Sequence, residues 1–133
     1  MDCFTRHGTE RTPEIVFDFG RGIFSIRGES YPEDVATFYG PVMSSLKEFL
    51  SGNRTRSLTL EIELIYFNSS SAKVLMNLFL LLENAAGAEN QITVNWYYQG
   101  DDETMREFGE EFSEDVRHIN FHVLERNGAP PPQ

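Results

Sequence analysis

Apolar residues in this chain change period repeatedly, from every second residue to every third or fourth and back, and this alternation limits the fold more than any other feature. Ile15, Phe17 and Phe19 repeat every second residue, as do Phe24 and Ile26, with Gly20-Arg21-Gly22 between them. That pattern predicts a β-hairpin, with Gly28 ending its second strand. Pro32, Glu33 and Asp34 then open a helix, where a missing amide hydrogen and negative charge are both tolerated. Its stripe is Val35, Phe38, Tyr39, Val42, Met43, Leu46, Phe49 and Leu50, and Gly52 stops it. Leu58, Leu60, Ile62, Leu64 and Tyr66 alternate again, and residues 69–86 form a second, strongly apolar helix closed by Gly87. Ile92, Val94 and Trp96 mark a strand, Met105, Phe108, Phe112 and Val116 a third helix, and Ile119, Phe121 and Val123 a last strand.

The predicted order is ββαβαβαβ. Strand–helix–strand units give parallel neighbours through right-handed crossovers, while the first hairpin adds an antiparallel edge. The strands are apolar on one face only, unlike those of a doubly wound sheet. The expected fold is therefore α/β and two-layered: a mixed, mostly parallel sheet of about five strands, with three helices on one face. The other face is left wet or open to a partner. Residues 1–126 make one domain, with a weak polar start, and 127–133 (NGAPPPQ) a flexible tail in which three prolines block regular structure.

Size and charge narrow the function. A 133-residue chain with 40% hydrophobic residues and eleven Phe holds one folded core. A net charge of −10 repels nucleic acid and suits a basic partner surface. Cys3 is alone and makes no internal disulfide, and no apolar signal segment opens the chain. Val74 to Leu82 is too short to cross a bilayer. A cytoplasmic protein without direct membrane insertion is expected.

Enzyme chemistry finds little support. His7, His118 and His122 lie in the polar start and around the last strand, with no Cys or carboxylate completing a metal set. Gly20-Arg21-Gly22 leads into a strand, so it offers no helix amides to a phosphate. The acids Asp101, Asp102, Glu103, Glu107, Glu110, Glu111, Glu114 and Asp115 lack the spacing of a calcium loop and read as a solvated helix face. No cofactor, metal or catalytic residue is assigned.

The segment Tyr66-Phe67-Asn68-Ser69-Ser70-Ser71-Ala72-Lys73 remains. It sits at the carboxyl end of a strand inside the crossover units, where open α/β sheets carry functional loops. Asn and Ser are ordinary N-caps, and Asn68 or Ser69 fills that role. Yet a cap needs one polar residue, and this turn carries four in succession. The helix has no acid before Glu83, and its first charge is the cation Lys73, which opposes the macrodipole. A phosphate on a serine here would meet free amides, the positive helix end and Lys73. Ser69 is the leading candidate, with Ser70 and Ser71 behind it.

These residues resemble the SiaC family of bacterial regulatory phosphoproteins. The ordered set is Gly28-Glu29-Ser30-Tyr31-Pro32-Glu33, the serine turn with Lys73, and Trp96-Tyr97-Tyr98 before an acidic helix, over residues 12–124. The order of elements is also similar to STAS domains, the anti-sigma-factor antagonists. The resemblance implies a partner switch. An anti-sigma-type serine/threonine kinase modifies the residue after the Asn, here Ser69, and a PPM-type phosphatase reverses it. The unmodified form binds and activates a GGDEF diguanylate cyclase, raising cyclic di-GMP and promoting biofilm formation or aggregation. The best-described member has Thr at this position, so Ser69 keeps the hydroxyl alone. Asn68, Ser70, Lys73, Tyr31 and Glu29 are candidate partner or kinase contacts. Tyr31 equally suits a packing staple, and Lys73 an ordinary solvated lysine. The competing readings are a STAS-type antagonist controlling transcription, and an enzyme using a serine of 69–71 with His118 or His122 as base.

Overall fold

The computed structural model describes residues 3–52, 57–86 and 90–126. Its elements are β1 (Cys3–Arg6), β2 (Glu14–Asp18), β3 (Ile23–Ser30), α1 (Val35–Leu50), β4 (Ser57–Phe67), α2 (Ser69–Ala86), β5 (Gln91–Gln99), α3 (Glu103–Glu114) and β6 (Asn120–Arg126). They form one sheet in the order β1-β2-β3-β4-β5-β6. β2 pairs antiparallel with both β1 and β3, and β3 to β6 run parallel. Parallel strands need helical crossovers, so the C-terminal ends of β3 to β6 all emerge at one edge of the sheet.

The mixed two-layer α/β architecture agrees with the sequence pattern, but the sheet has six strands where about five were expected. The extra strand, β1, lies in the stretch read as a polar start. It is mostly exposed and holds its place by backbone pairing with β2, so it leaves no alternation to read. Only Phe4 turns toward the core, its ring 6.5 Å from that of Phe17. The predicted stop at Gly87 and the tail 127–133 lie outside the described residues.

Local chemistry places the ends. Asp18 holds the first hairpin, its side chain accepting from the Arg21 amide at 3.1 Å and its carbonyl from the Gly22 amide at 2.9 Å. Gly22 has φ 69°, and a Cβ there would stand 2.6 Å from the Ser57 carbonyl oxygen. Helix α1 starts later than expected. Asp34 is its N-cap, accepting from the Thr37 amide at 3.1 Å and the Thr37 hydroxyl at 2.8 Å, which leaves Pro32 and Glu33 ahead of the helix.

One face of the sheet carries the core. Ile15, Phe17, Phe24, Ile26, Leu58, Leu60, Ile62, Leu64, Ile92, Val94 and Trp96 are all buried. The helices join that core through Tyr39, Val42 and Leu46 on α1, Leu75, Leu78, Phe79 and Leu82 on α2, and Met105 and Phe112 on α3. The fit at α3 is close: the Trp96 indole donates to the Met105 carbonyl at 3.0 Å, and a Cβ on Gly109 would lie 2.5 Å from the Trp96 ring.

The opposite face is charged and cross-linked. Glu63 accepts from Arg27 and Arg126, each at 3.3 Å, and from Gln99 at 3.1 Å. The Arg126 guanidinium lies 3.7 Å from the Tyr97 ring centroid. Burial, followed by the neighbouring Glu61 carboxylate, pushes the Tyr97 hydroxyl up. No described helix is long and apolar enough to cross a membrane.

Candidate functional site

The site begins with a fault in the β3–β4 ladder. Gly28 pairs with Leu64, but Glu29 pairs with Tyr66, so Ile65 is an extra residue on β4. Gly28 has φ 121°, a conformation open to glycine and strained for other residues. A bulge of this kind reverses the alternation beyond it. Leu58 to Leu64 bury every second side chain; then Ile65 and Tyr66 are 69% and 50% exposed, and Phe67 is buried. This corrects two expectations. Gly28 does not end the strand, which runs on to Ser30, and Tyr66 does not belong to the apolar face. The Tyr66 ring instead meets Tyr31 edge-on at 5.6 Å between centroids.

Asn68 fixes the start of α2. Its backbone amide donates to the Ser30 carbonyl at 3.1 Å, and its carbonyl accepts from Ala72 at 2.9 Å. Its side-chain oxygen accepts from the Ser71 amide at 2.9 Å. Asn68, not Ser69, is therefore the N-cap, and the serines occupy the first three helical positions.

Those three serines differ in surroundings. Ser69 and Ser70 are exposed. Ser71 is fully buried, its hydroxyl accepting from Ser30 at 2.9 Å. The Ser30 hydroxyl also lies 2.5 Å from the Tyr39 hydroxyl. The Ser30 hydroxyl thus bridges Tyr39 and Ser71, and a chain of three hydroxyls joins α1, β3 and α2. Burial pushes the Tyr39 hydroxyl up to about 12, against the opposing Ser30 bond.

Lys73 is exposed one turn after Ser69, and the first turn of α2 holds no acid. Glu29 and Tyr31 are half-buried on the neighbouring strand end, with Glu29 paired opposite Tyr66. Glu33 is taken up by Arg11 at 2.6 Å.

The histidines lie elsewhere. His118 sits on Glu83, its ring nitrogen 2.8 Å from the carboxylate. Glu83 is fourteen residues along α2 from Ser69, about 21 Å away at 1.5 Å per residue. His122 is exposed on β6, paired with Asn95, and His7 is exposed in the β1–β2 connection. A serine nucleophile activated by His118 is thus excluded by distance. Among the described residues no group of three His, Cys, Asp or Glu side chains is placed to hold a metal ion. The acids of α3 that were read as a solvated face are exposed at Glu103, Glu107, Glu110, Glu111 and Glu114, while Asp102 caps the helix through the Met105 amide.

Three features are not legible in the sequence: the displayed Ile65, the buried hydroxyl chain, and the Glu83 carboxylate, which accepts from the backbone amides of Arg117, His118 and Ile119. One signal for the first was present, since a lone glycine inside a strand pattern often marks a bulge.

Comparison with known proteins adds the lineage. The profile of the SiaC family regulatory phosphoproteins matches residues 6–126. An uncharacterised protein of Pseudomonas aeruginosa strain UCBPP-PA14 is 37% identical over 108 residues, covering 81% of this chain and 85% of that protein. The crystal structure of apo-SiaC from Pseudomonas aeruginosa superposes with a TM-score of 0.79 at 34% identity, covering 96% of this chain and all of that one. SiaC in the crystal structure of the diguanylate cyclase SiaD with its activator SiaC, from the same organism, gives a TM-score of 0.86 at 34% identity over 92% of this chain and 99% of that one. With the family profile spanning residues 6–126 of the 133 and the sheet and helices shared, this chain belongs to the SiaC family of regulatory phosphoproteins.

Proposed function

We propose that this chain is a phosphorylation-controlled partner switch whose unmodified form binds and activates a GGDEF diguanylate cyclase in the cytoplasm, raising cyclic di-GMP and promoting biofilm formation or aggregation. It is not itself an enzyme. Phosphorylation of Ser69 by an anti-sigma-type serine/threonine kinase releases the cyclase, and a PPM-type phosphatase resets the switch. The observation carrying this reading is an exposed Ser69 at the first position of α2, one turn before Lys73, in a family whose SiaC activates the cyclase SiaD. That relative favours the cyclase over the transcriptional reading.

Ser69 is preferred on access. A phosphate there adds about −1.5 to −2 charges where free amides and a lysine accept them. Ser70 offers the same exposure one residue on. Ser71 is buried in the hydroxyl chain, so its modification would require the start of α2 to open. Asn68 acts by holding the turn, since its side-chain oxygen is occupied by Ser71. Glu29, Tyr31, Ser70 and Lys73 surround the switch as contacts for cyclase or kinase.

The test is binding and activation of the purified diguanylate cyclase of the same host by unmodified chain, Ser69→Ala and Ser69→Asp. Unmodified chain and Ser69→Ala should bind and stimulate cyclic di-GMP synthesis, and Ser69→Asp should do neither. Equal stimulation by Ala and Asp variants, with no phosphate on residues 69–71 by peptide mass mapping, would refute the switch.

A further inference from the structure

We infer that Ile65, Tyr66 and Tyr31 form the apolar seat on which the diguanylate cyclase docks, and that the docking segment carries a carboxylate beside its apolar residues. This rests on the functional reading above and adds the surface and the chemistry of the segment.

The first ground is the bulge. Without the extra residue, Tyr66 would follow Leu64 into the core and a single apolar side chain would face solvent. With it, two large side chains emerge in succession, 69% and 50% exposed, and Tyr31 is brought edge-on against Tyr66. Aromatic rings already held by packing lose little freedom when covered, which suits them to anchor a partner.

The second ground is charge. The chain carries −10 overall, yet between Glu63 and Glu83 its single charge is Lys73. Glu33, the exposed acid beyond Tyr31, is neutralised by Arg11 at 2.6 Å. Glu29, paired opposite Tyr66, keeps the β3 side of the seat acidic, whereas the α2 side carries only the cation Lys73, so a segment laid from Ile65 toward Lys73 is matched by a carboxylate at the Lys73 end. Ser69 lies between the two, three residues after Tyr66 and four before Lys73. A phosphate on Ser69 occupies the position the partner's carboxylate needs and repels it, so modification and binding exclude one another by like charge as well as by desolvation.

The test uses the full chain and the purified diguanylate cyclase of the same host, with affinity read by calorimetry. Ile65→Asp and Tyr66→Ala should each weaken binding about tenfold or more, as central anchors do. Lys73→Glu should weaken it about fivefold, with Lys73→Arg close to wild type. Ile23→Asp, at another exposed apolar residue on the opposite end of β3, should change it less than twofold. All these side chains are exposed, and unchanged melting temperatures will confirm intact folds. Affinities of Ile65→Asp and Tyr66→Ala both within twofold of wild type would overturn the seat alone. Loss of a wild-type dimer on Ile65→Asp, with cyclase binding kept, would reassign the patch to self-association. No binding by wild type would overturn the functional reading and the seat with it.

Discussion

Replacing Glu83 with Gln tests how the far end of α2 is anchored. The Glu83 carboxylate accepts from the backbone amides of Arg117 at 2.9 Å, His118 at 2.8 Å and Ile119 at 3.0 Å, and contacts the His118 ring nitrogen at 2.8 Å. Burial pushes its pKa up, but these donors together pull it down further, from 4.5 to about 2. At about 1.36 kcal/mol per unit, this shift bounds the contribution at roughly 3.4 kcal/mol. The Glu83 side chain is only 14% exposed, but its partner His118 is 64% exposed. Solvent screening at that edge reduces the figure, and about 2 kcal/mol is expected.

The sign follows from the direction of the shift. A carboxylate with a depressed folded-state pKa stabilises fully above its unfolded value near 4.5, and the contribution is lost as pH falls toward 2. Urea unfolding should therefore place Glu83→Gln about 1 M below wild type in midpoint at pH 7, with most of the gap closed at pH 2.5. Equal midpoints at pH 7, or a gap of the same size at pH 2.5, would refute the anchor. Because Glu83 is about 21 Å from Ser69, the variant should still bind the cyclase.

Three further outcomes are expected. Asn68→Ala should cost about 1 kcal/mol in thermal or urea melts and Ser69→Ala only a few tenths, because Asn68 is the cap. Tyr39→Phe and Ser71→Ala should each cost roughly 1–2 kcal/mol, and a double-mutant cycle between them should be non-additive, since both act through Ser30. Gly109→Ala should cost about 1–3 kcal/mol by pressing on Trp96, and the near-ultraviolet circular dichroism of that single tryptophan should change with it.

What could be read from the chain is what neighbouring residues decide. Helix α2 was legible to its first residue because its apolar stripe, its polar turn and the absence of an early acid all lie within one stretch of sequence. The same holds for the Gly20-Arg21-Gly22 hairpin, for the one-sided strands that called for a two-layer sheet, and for the serine turn itself, whose composition exceeds the needs of a cap. The sequence places the start of α1 too early because Pro32, Glu33 and Asp34 all suit a helix beginning. Only the bonds to Thr37 single out Asp34 as the cap.

The tertiary structure decided what depends on residues far apart. Strand β1 exists because β2 offers it an unpaired edge, and its own residues carry no period to announce it. The exposure of Ile65 and Tyr66 comes from a one-residue slip against β3, and the alternation within β4 alone argues for the opposite. Ser69, Ser70 and Ser71 are chemically identical in sequence. Their different fates follow from Ser30 and Tyr39, which only the packing of β3 and α1 brings beneath the third of them. The sequence by itself thus determined every element but β1, and the segment proposed to carry the switch. Which hydroxyl meets solvent, and which apolar residues stand beside it, were settled by strand register and helix packing, because burial is a property of the neighbours that folding supplies.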